Sequence, residues 1–316
     1  MTFYPKALQY KDYEMNQTEL PPRSFPWTFV VLTYALSWSI WVAGWLLAGK
    51  PIETGASGTM MAAIFLGSFA PGMVAAILLA RSGGTGKVIA WLWDFVRVRC
   101  GWRAYAAALL PFPIALLILT ALFGYVPMPD AAGGDAPVLF YLTIFPVSIL
   151  NGVATVFMGA GPLGEEGGWR GYLLPRLIET HGEWRSSLII GVIWALWHLP
   201  VMAMFADWRD GIDFWTYLPL YTLSVTALSC LMTRVWVIGR GSLVPVIWLH
   251  GLVNAVGPMA FNRELWSSAW SQGFGVFLFA VAALVSALTQ MVLNGYPNSG
   301  LVVSRLWRSG PEVMVG

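Results

Sequence analysis

The sequence predicts an all-α polytopic membrane protein of about eight transmembrane helices around an intramembrane polar cavity, and three observations carry that prediction. The composition is that of a chain solvated by lipid: 57% hydrophobic and 11% charged, with 18 Trp, 17 Phe and 11 Tyr, and a mean hydropathy of +0.65. A soluble domain is roughly a quarter charged. Apolar runs of about 20 residues, the length that crosses a hydrocarbon core of about 30 Å as helix, recur eight times along the chain. A few ionisable side chains fall in or beside those runs, where a bilayer makes them costly.

The runs cover approximately 27–48, 56–80, 104–126, 138–160, 186–206, 214–233, 242–261 and 271–294. Lys6, Lys11, Asp12, Glu14, Glu19 and Arg23 precede the first of them, which is not the layout of a cleaved signal peptide, so the first run is read as a retained span. With eight spans, 15 of the 18 Lys and Arg fall on the side shared by both termini, and Lys50, Arg209 and Arg263 on the other. The positive-inside rule then places both termini in the cytoplasm, in a cell inner membrane. The expected organisation is a cytoplasmic segment at 1–26, one membrane-embedded domain at 27–294 and a cytoplasmic tail at 295–316.

Between the second and third runs lies "KVIAWLWDFVRVRCGWRAY", residues 87 to 105, in which Trp91, Trp93, Phe95 and Trp102 alternate with Lys87, Arg97, Arg99 and Arg103. That mixture reads as an amphipathic helix lying in the inner interface. Cys100 and Cys230 have no short spacing between them, so neither a disulfide framework nor a thiolate metal site is expected. His181, in "ETHGEW", reads as a solvated loop residue.

The candidate site begins at "GPLGEEGGWRGYLLPR", residues 161 to 176. Glu165 and Glu166 are placed at the cytoplasmic end of the fourth run. Adjacent helical residues point about 100° apart, so the two cannot serve one target. Glu166 and Arg170, four apart with the Glu first, are arranged for a same-face ion pair, which leaves Glu165 to point elsewhere. Gly167 and Gly168 cost roughly 2 kcal/mol of helix propensity, so the backbone is expected to break there or to pack closely on a neighbour. A hydrated loop, its carboxylates balancing Arg170 and Arg176, is the bland alternative.

His198, in "GVIWALWHLP", falls about twelve residues into the fifth run, with Trp194 one turn earlier on the same face. Pro200 cannot donate to a helical hydrogen bond, so a kink near His198 is expected. His250 and Asn254, in "SLVPVIWLHGLVNAVGP", are four apart and share a face; Ser242 and Pro245 make a plausible helix start. Interhelical hydrogen bonding alone explains such residues in many spans. Gathered together, a carboxylate, two imidazoles and an amide could line one water-filled cavity.

The order EExxxR (Glu165, Glu166, Arg170), aromatic-xxx-His (Trp194, His198) and HxxxN (His250, Asn254), with "WRGYLLPRL" and "WALWHLP", resembles the CAAX protease and bacteriocin-processing family of intramembrane glutamic endopeptidases. The likeness covers roughly residues 140 to 260. Trp194 departs from the Phe usual in that pattern. The resemblance implies that Glu165 and His198 bind and activate a water while His250 and Asn254 stabilise the oxyanion, with Glu166, Arg170 and Trp194 in support and no metal or other cofactor. The implied partners are a peptide or protein substrate, lipidated or leader-bearing, and membrane lipids; no nucleic acid is expected.

Alternatives from other classes remain. A zinc protease would draw on Glu165, His198 and His250 but lacks an HExxH helix. A non-catalytic immunity or resistance factor would bind a peptide in the same cavity. A transporter is disfavoured because the two halves show no repeat.

Overall fold

The computed structural model describes residues 25–49, 57–122, 161–204, 212–261 and 274–294. All regular structure among them is helical: α1 (Trp27–Leu47), α2 (Gly58–Ser68), α3 (Ala70–Trp93), α4 (Trp102–Leu109), α5 (Pro111–Leu122), α6 (Pro162–Gly168), a π-helical turn (Trp169–Leu173), α7 (Leu174–Trp197), α8 (Leu199–Met204), α9 (Phe214–Ile238), α10 (Val244–Phe261) and α11 (Phe274–Asn294). Among the described residues, five stretches are long and apolar enough to cross a membrane: Trp27–Leu47, Gly58–Trp93, Pro162–Met204, Phe214–Ile238 and Val276–Leu293. The chain is therefore an all-α polytopic membrane protein. The expected run at 138–160 lies outside the described residues.

Local sequence explains several boundaries. Ser57 caps α2 by accepting from the Met60 N–H, and Asp213 caps α9 by accepting from that of Thr216, each satisfying an orphan donor of the first turn. The expected third run is two helices, interrupted where Pro111 and Pro113 follow Leu110. Ser242 sits two residues before α10, donates to the Arg97 carbonyl at 2.8 Å and accepts from the Val244 N–H.

The hydrated-loop alternative for Glu165 and Glu166 does not hold: they lie in α6, 5% and 0% exposed, and the connection expected after the fourth run is itself helical. The helix continues through the π turn into α7 and reverses at Gly182, where φ is 71° and ψ 175°, a conformation that glycine adopts without steric cost. Trp194 bonds directly to Glu165 at 2.6 Å, although 29 residues of straight helix would separate them by about 44 Å. Residues 162–204 thus form a helical hairpin. Glu165 lies 17 residues before Gly182 and His198 lies 16 after it, so the reversal alone puts them at similar depth, about 25 Å from the turn. The charges of the first arm disguise it as a loop because hydropathy counts each charge singly, whereas folding neutralises them in pairs.

Gly167 and Gly168 serve close packing, the second of the two expected outcomes. A Cβ on Gly168 would lie 2.4 Å from the Pro71 Cβ, and one on Gly164 2.5 Å from the Ser68 carbonyl oxygen. The hairpin thereby seats its first arm directly on the α2–α3 junction. On the adjoining side, Trp91 donates to the Gly167 carbonyl at 2.9 Å and stacks edge-on with Phe95. The aromatic-basic stretch is therefore divided: Trp93 and Trp102 are exposed, while Trp91 and Phe95 hold the site-bearing helix. α1 runs along the second arm, where Tyr34 donates to the Ile193 carbonyl and Trp38 to that of Trp197. α9 packs against both α7 and α11.

Candidate active site

The first arm of the hairpin supplies Glu165, Glu166 and Arg170. Arg170 Nη1 donates to Glu166 Oε1 at 2.9 Å and to Oε2 at 3.1 Å, the i,i+4 pair expected from the spacing, with both side chains fully enclosed. Breaking such a pair from one side leaves an uncompensated buried charge and costs about 3–5 kcal/mol. The Arg170 guanidinium also lies 4.5 Å from the centre of the Trp194 ring, a cation over an aromatic face.

α10 adds a contact that nothing in the sequence announced. His250 Nδ1 lies 2.7 Å from Glu166 Oε1, across 84 residues. With Glu166 ionised, the carboxylate can only accept, so Nδ1 carries the proton. The reactive face of His250 is therefore Nε2. Its ring also meets that of Trp194 edge-on, with centroids 5.2 Å apart.

At the end of the second arm, α7 stops at Trp197, and His198 interrupts the helix before α8 begins. This is the kink expected from Pro200, which has no N–H to give to the Leu196 carbonyl. His198 donates its backbone N–H to the Ala195 carbonyl at 3.1 Å, and its side-chain Nδ1 lies 2.9 Å from the Trp194 carbonyl oxygen. A carbonyl only accepts, so the neutral ring is the Nδ1–H tautomer and Nε2 is the acceptor. Trp197 and Tyr221 flank the ring edge-on, at 4.7 and 5.6 Å between centroids.

Trp194 joins these groups. Its indole Nε1 donates to Glu165 Oε2 at 2.6 Å. Glu165 Oε1 faces the other way, toward Gly161 at the head of α6: a Cβ built there would lie 2.8 Å from Oε1 and 3.6 Å from Asn254 Nδ2. Oε1 and the Asn254 amide therefore border one small space. Asn254 is exposed, so that space opens outward, whereas Glu165, His198 and His250 are buried.

The other six residues singled out from sequence thus fall around Trp194, with Asn254 at the rim. Sequence reasoning passed over Gly161, Trp91 and Tyr221. Gly161 precedes a helix-starting proline, a readable signal; Trp91 and Tyr221 carried none, because their roles depend on segments 76 and 23 residues away. Among the described residues no group of three or more His, Cys, Asp or Glu side chains is arranged to hold a metal ion.

Two comparisons bear on this arrangement. Residues 147–256 match the family model described as "Type II CAAX prenyl endopeptidase Rce1-like", a range that contains every residue of the cluster. The chain is also similar to CAAX prenyl protease 2 of Methanococcus maripaludis, 25% identical over 248 residues that cover 76% of this chain and 84% of that protein.

Proposed function

We propose, from the match of residues 147–256 to the Rce1-like family model and the similarity to the Methanococcus maripaludis protein, that this chain is a CAAX-protease-like, metal-independent, glutamic-type intramembrane endopeptidase in which Glu165 is the base. The observation that supports this most strongly is the pose of Glu165. It is a buried carboxylate held at one oxygen by Trp194, with its other oxygen bordering the space shared with Asn254. A carboxylate shielded from water and fixed beside a reacting group can take a proton and later return it.

In this reading a water lies between Glu165 Oε1 and His198 Nε2, both acceptors. As the water attacks the scissile carbonyl carbon, Glu165 takes its proton and the carbonyl electrons move to oxygen. Asn254 Nδ2 and His250 Nε2 donate to that oxyanion. Because His250 Nδ1 already donates to Glu166, donation from Nε2 requires the doubly protonated ring, whose charge lies between Glu166 and the oxyanion. Glu165 then returns its proton to the leaving amine and the C–N bond breaks. Fixed donors of this kind are worth about 3–4 kcal/mol each in the transition state. Glu166 and Arg170 maintain the orientation of His250 and the course of the helix.

The same reading retains about eight spans around the cavity, both termini in the cytoplasm of an inner membrane, and a substrate drawn from prenylated C-terminal peptides or leader-bearing precursors. The test is to incubate detergent-purified protein with a panel of both peptide types, with and without chelator, and to read products by mass spectrometry. Chelator-insensitive cleavage supports the reading. Cleavage abolished by chelator favours a zinc protease, and binding without cleavage favours the immunity factor.

A further inference from the structure

Two groups assigned to water activation are held by a single residue. The Trp194 main-chain carbonyl accepts from His198 Nδ1 at 2.9 Å, and its indole N–H donates to Glu165 Oε2 at 2.6 Å. The indole is also clamped: the Arg170 guanidinium covers its face at 4.5 Å, and the His250 ring meets it at 5.2 Å and 69°. The residue is 3% exposed, so the ring has no room to swing away. Among the described residues it is the one hydrogen-bond donor on Glu165, which is 5% exposed.

We propose that Trp194 is a positioning residue for the reaction, its indole N–H fixing Glu165 through Oε2 so that Oε1 is the oxygen that receives the proton. A carboxylate on a flexible side chain has two equivalent oxygens, and a base that must meet a water at one point loses rate to every other rotamer. The bond removes that degeneracy: Oε2 is occupied, and Oε1 faces Gly161 and Asn254. The main-chain bond of the same residue sets the tautomer of His198, leaving its Nε2 as acceptor. A phenylalanine at this position would keep the aromatic surface beneath Arg170 and beside His250 and would lack the N–H. The one hydrogen bond it removes is the one to Glu165. This inference rests on Glu165 being the base.

The test compares Trp194→Phe with Glu165→Gln in the full-length, detergent-purified protein. The charged or titratable groups around Glu165 are Glu166 and Arg170 on its own arm, His198 at the end of α7, Tyr221 on α9 and His250 on α10; Trp194→Phe leaves all of them in place. An ionised carboxylate that loses a donor holds its proton more tightly. Trp194→Phe is expected to lower kcat about 10- to 100-fold with KM little changed, and to move the acid limb of the pH–rate profile upward by roughly one to two pH units.

A direct readout protects against a folding artefact. In protein labelled with 15N-indole tryptophan, one indole N–H resonance should lie far downfield and should shift in Glu165→Gln, a variant that keeps both ring and fold. A Trp194→Phe enzyme with wild-type kcat and pH profile, or no indole resonance responding to Glu165→Gln, overturns the proposal. If Glu165→Gln itself still cleaves, the assignment of the base has failed, which is a different result.

Discussion

His250 Nδ1 and Glu166 Oε1 meet at 2.7 Å, and the same carboxylate also accepts at both oxygens from Arg170 Nη1. One buried glutamate thereby fixes the course of a helix and the orientation of an imidazole on another. The two duties can be separated by mutation. Glu166→Gln and Arg170→Met should each destabilise the fold by about 3–5 kcal/mol, because each strands a partner. The double variant should recover much of that loss and still be inactive, since His250 no longer faces a carboxylate. Thermal melting and peptide cleavage on the three proteins check this. A double variant with restored cleavage would show that Glu166 serves the scaffold alone.

Asn254 lies at the rim and is exposed, so its loss should spare the fold. Asn254→Ala is expected to lower kcat about 10²- to 10³-fold, the cost of one oxyanion donor, with KM little changed because the interaction forms only in the transition state. Steady-state kinetics on a cleavable peptide decide it. A rise in KM at constant kcat would make Asn254 a binding residue.

The contact between α6 and the α2–α3 junction makes a stability prediction. Gly168→Ala would press a methyl against the Pro71 Cβ at 2.4 Å and the Pro71 carbonyl carbon at 2.6 Å. Overpacking of this kind costs about 1–3 kcal/mol. A lower melting temperature in detergent is expected. An unchanged melt would mean that the hairpin does not pack on that junction.

Much of the site was legible in the sequence for reasons of local geometry. The Glu166–Arg170 pair follows from helical spacing, the break at His198 from Pro200, and the shared face of His250 and Asn254 from their separation of four. The burial of Glu165 and Glu166 was not legible. The arm that bears them also carries Arg170, Arg176 and Glu179, and a hydropathy reading cannot know that Glu166 and Arg170 cancel each other inside the protein. The reversal at Gly182 was equally hidden, since "THGEW" reads the same in a loop as in a tight hairpin turn. The Glu166–His250 bond joins residues that only the tertiary fold brings together.

Outside the spans, Asp94 reports on the connection between α3 and α4. Its carboxyl is pushed up to about 7 by burial, against the pull of Arg97 beside it, which bonds to it at 3.1 Å. The proton is held more tightly folded than unfolded, so this contribution to stability is fully present below the unfolded value of 3.8 and is lost as pH rises through about 7. Asp94→Asn should therefore gain stability over the native protein as pH is raised from about 5 to 8. Paired melts across that range test this. A gain independent of pH would contradict it.

The central claim is that Glu165 carries the proton in peptide hydrolysis. The most direct measurement is cleavage of a substrate peptide by Glu165→Gln, read by mass spectrometry beside a thermal melt of the same preparation. The account predicts a folded protein whose cleavage falls to background. Cleavage at the native rate by a folded Glu165→Gln protein would contradict it.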